Sequence, residues 1–172
     1  RLYSVLPTFQ ALAREVVGGL GGHLLNALGH RLVIVFGYPV VYEDGARRAV
    51  SAGLELIRRV AELDDGDGRL AVRIGLHTGP ALSLPTHDGS ELVLGPTLDL
   101  ATRIGHHAEV DEVVLSAITR RLLGDDALTE RVGSLSGSLA GTGDGLEVFR
   151  LDRLREATGF VAAPTGSPLL GR

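Results

Sequence analysis

The sequence predicts an α/β (α+β) domain in which helices cover a mixed sheet. Two apolar runs, about residues 23–28 and 31–36, flank a turn at Gly29-His30, which is the pattern of a β-hairpin in a buried sheet. Apolar residues recur at helical spacing both before and after this hairpin. Strands and helices are therefore interleaved along the chain, which is typical of an α/β or α+β domain.

The first helix is expected from about Pro7, because proline suits the first helical turn. Its end is expected at the glycine pairs Gly18-Gly19 and Gly21-Gly22. Its apolar stripe consists of Phe9, Leu12, Ala13, Val16, Val17 and Leu20.

The second helix is expected over about residues 44–63, after Gly37-Tyr38-Pro39 breaks the second strand. Helical spacing predicts one apolar face and one charged face that meets water. The predicted apolar face is Ala46, Ala49, Val50, Gly53, Leu54, Ile57 and Val60, and the residues predicted to face water are Arg47, Arg48, Glu55, Arg58 and Arg59.

The remaining chain continues the alternation of strands and helices. Ser116 is expected to cap the N-terminus of the last helix, and the turn His87-Asp88-Gly89 is expected to join two short strands. The predicted strand segments are 70–78, 81–84, 91–94, 113–116, 128–134 and 146–151, and the predicted helices are 96–107 and 117–123.

Composition excludes several classes of protein. A chain of 172 residues with 22% charged residues fits one globular domain, and a net charge of -4 argues against a nucleic-acid surface. No apolar run reaches membrane-spanning length, so no membrane partner is expected, and no signal peptide is visible. The absence of cysteine suits the cytoplasm, which is the expected location. The chain has no cysteine, and its basic residues are all arginine. Asp64–Gly68 lacks the closing glutamate of a calcium loop and is expected to be a solvated loop.

Three segments carry a resemblance to a known family. They are GHRLVIVFGYPVVYEDGARRAV, VRIGLHTG and GPTLDLATRIGHHAEVDEVVLSAITRRLLG. In this order they resemble the class III adenylate/guanylate cyclase catalytic domain, in the form that bacteria fuse to a large ATPase. The match covers about residues 2–151, so we expect a cyclase-homology domain over 1–154 and a linker over 155–172. The last residues, SPLLGR, resemble the stretch that opens such an ATPase.

The resemblance implies a ferredoxin-like cyclase fold, a mostly antiparallel sheet with helices packed on it. It also implies a chemistry. Such cyclases join the 3′-hydroxyl of ATP or GTP to the α-phosphate with two metals held by two aspartates. Their site lies between two subunits. The first of those aspartates belongs to a strand ahead of the first helix, and this chain begins after that position, so the first strand is expected to be missing.

Most catalytic positions that the resemblance maps onto this chain are substituted. The second metal aspartate falls at His30, and neutral imidazole is a poor ligand for magnesium. The adenine-contacting lysine falls at Asn26, and its acidic partner at Leu92, one residue from Glu91. The transition-state asparagine becomes Asp99 and the arginine is retained as Arg103. The lysines of the family's triphosphate loop fall at Ala140 and Thr142.

Each of these residues also has a purely structural interpretation. Arg103 and Asp99, four residues apart on one helix, can satisfy each other as an ion pair. His30 is expected to be a solvated turn residue, and the glycines around Gly141 a flexible hairpin. His106 and His107 are adjacent and cannot share one helix face, so no metal role is expected for them.

The sequence leaves three functions open. The first is a degenerate cyclase-homology domain with a regulatory or dimerising role in a larger signalling ATPase, with no cofactor. The second is a working cyclase that uses Mg or Mn and is completed by a partner subunit. The third is a module that binds ATP or GTP without turnover. The expected partners are a second copy or another cyclase domain.

Overall fold

The structure of the protein is a computed structural model. It describes residues 2–63, 66, 68–136 and 145–156. The chain divides into two compact units, Arg1–Val72 with Leu154–Arg172, and Arg73–Arg153. The predicted linker over 155–172, its ATPase-like end and the glycine-rich stretch 137–144 lie almost wholly outside the described residues.

The first unit is a β-hairpin with two helices. Helix α1 spans Leu2–Gly19, strands β1 and β2 span Gly22–Leu28 and Arg31–Phe36, and helix α2 spans Gly45–Val60. The strands pair antiparallel, with Gly22 opposite Phe36 and Leu28 opposite Arg31. The predicted hairpin, its turn at Gly29-His30 and the glycine-terminated first helix are confirmed.

Helix α1 begins five residues before the predicted start. Pro7 lies inside the helix, where it costs the backbone hydrogen bond to the carbonyl of Tyr3. Val5 and Leu6 before the proline, and Leu12 after it, are all buried. Packing of this apolar stripe therefore outweighs the lost hydrogen bond, and the prediction that helix α1 starts at about Pro7 is wrong.

The prediction that Arg48 faces water is also wrong. The residue is 5% exposed, its Nε donates to Asp44 Oδ1 at 2.7 Å, and its Nη1 donates to the carbonyl oxygen of Leu20 at 3.2 Å. The guanidinium also lies 4.1 Å from the centre of the Tyr42 ring. Leu54, assigned to the apolar face, is instead exposed. The buried residues of helix α2 are Arg48, Val50, Ala52, Gly53, Leu56 and Val60.

The β1–β2 hairpin is less buried than its sequence predicts. It forms a two-stranded sheet of its own, and none of its residues is fully buried. Leu28, beside the turn, is 63% exposed. The expectation of a buried sheet is wrong at this hairpin, because its apolar residues pack only part of their surface against neighbouring elements.

The second unit contains a four-stranded mixed sheet with two helices and a separate hairpin. The sheet has the order β3-β6-β8-β7, in which β3 and β6 are parallel while β6 and β8 are antiparallel. The hairpin β4–β5 is antiparallel. The elements are β3 (Arg73–Leu76), β4 (Leu82–Pro85), β5 (Glu91–Leu94), α3 (Pro96–Gly105), β6 (Glu112–Ser116), α4 (Ala117–Leu123), a 3-10 turn (Gly124–Asp126), β7 (Ala127–Leu135) and β8 (Leu146–Leu154).

Helix α3 packs directly on strand β3. A Cβ at Gly75 would lie 2.3 Å from the backbone nitrogen of Gly105 and 2.4 Å from the carbonyl oxygen of Ala101. Only glycine permits this approach. A buried cluster of seven residues includes the inner side chains of this helix: Leu100, Ile104, Ala108, Val114, Leu135, Leu146 and Val148.

The predicted class and element order are confirmed: this is a mixed α/β structure in which antiparallel pairing dominates the described strands. Strand β3 is shorter than the predicted segment 70–78. It ends at Leu76, which is the last residue to pair with strand β6, opposite Leu115. Within the described residues, no helix is long and apolar enough to cross a membrane.

Candidate functional site

Helix α3 carries the two charged residues that the sequence assigns to catalysis. Gly95, with φ +144°, precedes the helix and Pro96 opens it. Asp99 lies in the first turn and Arg103 in the last, so both charges have the sign that stabilises the helix dipole. The buried side chains of Leu100 and Ile104 fix the helix, which leaves Asp99 exposed.

The expected ion pair between Asp99 and Arg103 is not formed. Arg103 Nη2 donates instead to the carbonyl oxygen of Ser136 at 2.9 Å, which ties α3 to the residue that follows β7. Among the described residues, no ion pair engages Asp99. Its negative charge therefore faces solvent instead of neutralising the arginine.

The second unit places the other predicted residues on separate elements. Leu92 lies on β5, opposite Leu84 of β4, and half of its side chain is exposed. Glu91, beside it, accepts a hydrogen bond from the hydroxyl of Ser83. Ala140 and Thr142 lie outside the described residues. Helix α3 thus brings Asp99 and Arg103 onto one element, while Leu92 is on the hairpin that precedes it.

Asn26 and His30 belong to the first unit. Asn26 is exposed on β1, opposite Val33 and next to an irregularity in the strand pairing. His30 is exposed in the turn, where Gly29 has a left-handed φ of +60°. An exposed imidazole at this position does not suit magnesium, which prefers hard oxygen donors. Within the described parts of the chain, no cluster of three or more histidine, cysteine, aspartate or glutamate residues could hold a metal ion.

A buried polar network in the second unit was not predicted from the sequence. His77 Nδ1 lies 2.9 Å from Ser116 Oγ, and Thr119 Oγ1 lies 3.2 Å from Ser116 Oγ and 2.9 Å from Thr78 Oγ1. Ser116 also accepts from the backbone N–H of Thr119 at 3.3 Å, so the predicted helix cap is confirmed. Burial lowers the pKa of His77. The sequence feature that could have indicated this network is the pair His77-Thr78 directly after strand β3.

One face of the β4–β5 hairpin is an exposed patch of leucines. Leu82 pairs with Leu94 and Leu84 pairs with Leu92. Since residues two apart on a strand point to the same face, all four side chains lie together. Each is between 41 and 57% exposed. Isolated exposed leucines are ordinary, but a contiguous apolar patch is typical of an interaction surface. We call these four residues the leucine face.

The fold is that of class III nucleotide cyclase domains. No family model and no curated protein matches this chain, so the likeness rests on solved structures. The guanylyl cyclase Cya2 is 21% identical, with a TM-score of 0.80 over 94% of this chain and 85% of that chain. The adenylyl cyclase CyaB from P. aeruginosa is 20% identical, with a TM-score of 0.76 over 91% of this chain and 85% of that one.

A third similar structure is the non-canonical dimeric guanylyl cyclase domain of a fusion protein from the aquatic fungus Blastocladiella emersonii. It is 17% identical, with a TM-score of 0.78 over 90% of this chain and 84% of that chain. At these identities the comparisons establish the fold of the chain, which the sequence resemblance had predicted.

Proposed function

We propose that this chain is a degenerate cyclase-homology domain that acts by pairing with a second domain of the same fold. Its proposed role is regulatory, in the cytoplasm, within a larger signal-transduction ATPase. The ATPase setting is supported only by the resemblance of residues 167–172 to the start of such a module. Pairing is supported by the leucine face, and it is this observation that carries the proposal.

The leucine face has the properties of an interface centre. Its four side chains are contiguous and uncharged, and they project from a hairpin whose strands are only four residues long. A few central residues supply most of the binding free energy of an interface, the buried centre is poor in charged residues, and the surrounding contacts exclude water from it. We take a second copy of this chain as the partner, because one similar cyclase domain is described as a non-canonical dimer.

The pairing test replaces two leucines that face each other across the hairpin. In sedimentation experiments on the whole chain, we expect the wild-type protein to form a dimer. We expect Leu84→Ser with Leu92→Ser to raise the dissociation constant at least about tenfold, because truncating a central anchor commonly costs more than 1 kcal/mol. The control is Leu122→Ser, which removes a leucine that is 61% exposed on helix α4, outside the leucine face.

Two results would contradict self-pairing. One is a wild-type protein that stays monomeric at high concentration. The other is a double variant that dimerises as strongly as Leu122→Ser. A circular dichroism spectrum like that of the wild type would show that the double variant is folded.

The absence of turnover is the second part of the proposal. Electrostatic stabilisation of the transition state is commonly the largest catalytic contribution, and the position of the second metal aspartate is His30. We therefore expect no cyclic nucleotide from ATP or GTP in the presence of Mg or Mn, measured against a control without protein.

A working cyclase completed by a partner subunit is the alternative. The observation that favours it is Arg103, which matches the catalytic arginine and is not neutralised by Asp99. The turnover assay separates the two functions. Metal-dependent cyclic AMP or cyclic GMP above the control, lost in Arg103→Ala, would replace the first proposal by the second.

A further inference from the structure

We infer that His77 is a positioning residue that links the start of helix α4 to the first turn of helix α3. With Thr78 it fixes the connecting segment 78–81, and this segment holds the part of α3 that carries Asp99. The inference relies on the proposed function only in treating α3 as the candidate site.

The first half of the link is the buried network at helix α4. Ser116 and Thr119 are almost completely buried, so their hydroxyl groups must find partners inside the protein. His77 and Thr78 supply them, through the contacts of 2.9 Å to Ser116 Oγ and 2.9 Å to Thr119 Oγ1. Two successive residues after β3 are thereby held to one helical turn of α4.

The second half of the link is the contact of segment 78–81 with helix α3. The hydroxyl of Thr97, in the first turn of α3, donates to the carbonyl oxygen of Pro80 at 2.6 Å. A Cβ at Gly79 would lie 2.6 Å from Thr97 Oγ1, so the backbone of this segment lies directly against that side chain. A shift at Thr78 is therefore passed to Thr97, two residues before Asp99.

The network is uncharged, which makes it sensitive to the charge of the imidazole. The groups that His77 faces on β6 and α4 are the hydroxyls of Ser116 and, beyond it, Thr119. Charged residues do occur on the adjoining elements: Glu112 on β6, Arg120 and Arg121 on α4, and Asp99 and Arg103 on α3. None of them contributes to the lowered pKa of His77, whose cause is burial.

The sign of the pH dependence follows from this. Because the pKa of His77 is lowered in the folded protein, the network favours neutral imidazole. The stabilisation that this network gives the folded protein is complete above the ordinary imidazole pKa of about 6.5. It is lost as the pH falls through the lower pKa that His77 has in the folded protein. We expect acidification to loosen segment 78–81 and, through it, the first turn of α3.

The experiment is a pH titration of backbone amide signals by NMR, without nucleotide or partner. In the wild-type chain, we expect the amides of Gly79, Thr97 and Thr119 to shift together, with one midpoint below about 6.5 that matches the His77 ring. His77→Asn keeps a group that can donate or accept at the Nδ1 position but does not titrate. We expect it to keep the neutral-pH positions of these signals and abolish their titration.

Two further variants separate positioning from general stability. His77→Phe removes the hydrogen bond, so we expect the Thr97 and Thr119 signals to be displaced at every pH while signals of the β1–β2 hairpin stay unchanged. His87→Asn, on the exposed turn of the β4–β5 hairpin, should leave the titration as in the wild type.

Two outcomes would overturn the inference. One is a Thr97 amide that does not follow the midpoint of the His77 ring. The other is His77→Phe with an unaltered Thr97 signal. Neither outcome bears on pairing through the leucine face, so failure of this inference and failure of the proposed function are distinguishable.

Discussion

The two hairpins of this protein differ in how their apolar residues are used. Both are antiparallel, both are rich in leucine or valine, and both turn through a glycine with left-handed φ, Gly29 at +60° and Gly89 at +83°. The β1–β2 hairpin packs against helix α1 and is half-buried, whereas the β4–β5 hairpin is mostly exposed and presents its four leucines to solvent. The apolar content of a hairpin therefore does not by itself decide how much of it is buried. Burial also depends on whether a helix packs against the hairpin.

Gly22 is the residue that permits this approach in the first unit. A Cβ at this position would lie 2.6 Å from Val17 Cγ1 on α1 and 2.6 Å from Phe36 Cζ on β2. The absence of a side chain lets the helix and both strands meet at one point. The leucine face instead has a large side chain at each of its four positions.

The largest effect on the free energy of unfolding is expected from adding a side chain at Gly22. We expect Gly22→Ala to lower the free energy of unfolding by about 1–3 kcal/mol, because overpacking forces neighbouring groups apart. The control is Gly18→Ala on α1, where a Cβ would meet nothing within 4 Å. Alanine favours helix over glycine by up to about 1 kcal/mol, so this variant should be unchanged or more stable. Urea unfolding measures both, and equal stability of the two variants would refute the packing argument.

A smaller effect is expected from the leucine face on the stability of a single chain. Leu84→Ser with Leu92→Ser should change the unfolding free energy by no more than about 0.5 kcal/mol per residue, because exposed positions seldom contribute more. The measurement is urea unfolding at a protein concentration low enough that pairing does not contribute. A loss of several kcal/mol would mean that these leucines belong to the core of the chain, and the contrast between the hairpins would fail.

The smallest effect on stability is expected at the turn of the β4–β5 hairpin. In the β4–β5 turn, the Asp88 carboxylate accepts hydrogen bonds from the Ser90 hydroxyl at 2.6 Å, the Ser90 amide at 3.0 Å and the Thr86 hydroxyl, which lower the pKa of Asp88 to about 2. Its stabilising contribution is present above the ordinary aspartate pKa of about 3.9 and is lost as the pH falls through about 2.

An NMR titration of the side-chain carboxyl carbons tests this prediction. A midpoint for Asp88 near 3.9 would show that the turn is not closed by this carboxylate in solution. Ser90→Ala, which removes one of the donors, should raise the Asp88 midpoint.

The elements of this fold could be predicted from the sequence because their signals are local. Glycines at fixed positions mark both hairpin turns, and Ser116 precedes the helix that it caps. The order of the three matched segments predicted the cyclase fold, which the solved structures confirm. The boundary at Pro7 was wrong because the local rule for proline ignores the buried residues on either side of it.

The environment of the charged residues was decided only by the tertiary structure. Arg48 is buried because the Leu20 carbonyl, 28 residues away, and the Tyr42 ring reach it. Arg103 donates to the carbonyl oxygen of Ser136, 33 residues away, instead of pairing with Asp99. His77 contacts the hydroxyl of Ser116, 39 residues away. Periodicity along a chain reports which face a side chain takes on its own element. It contains no information about which distant donor or acceptor the fold brings to that face, and for a charged or polar group that distant partner determines whether burial is tolerated.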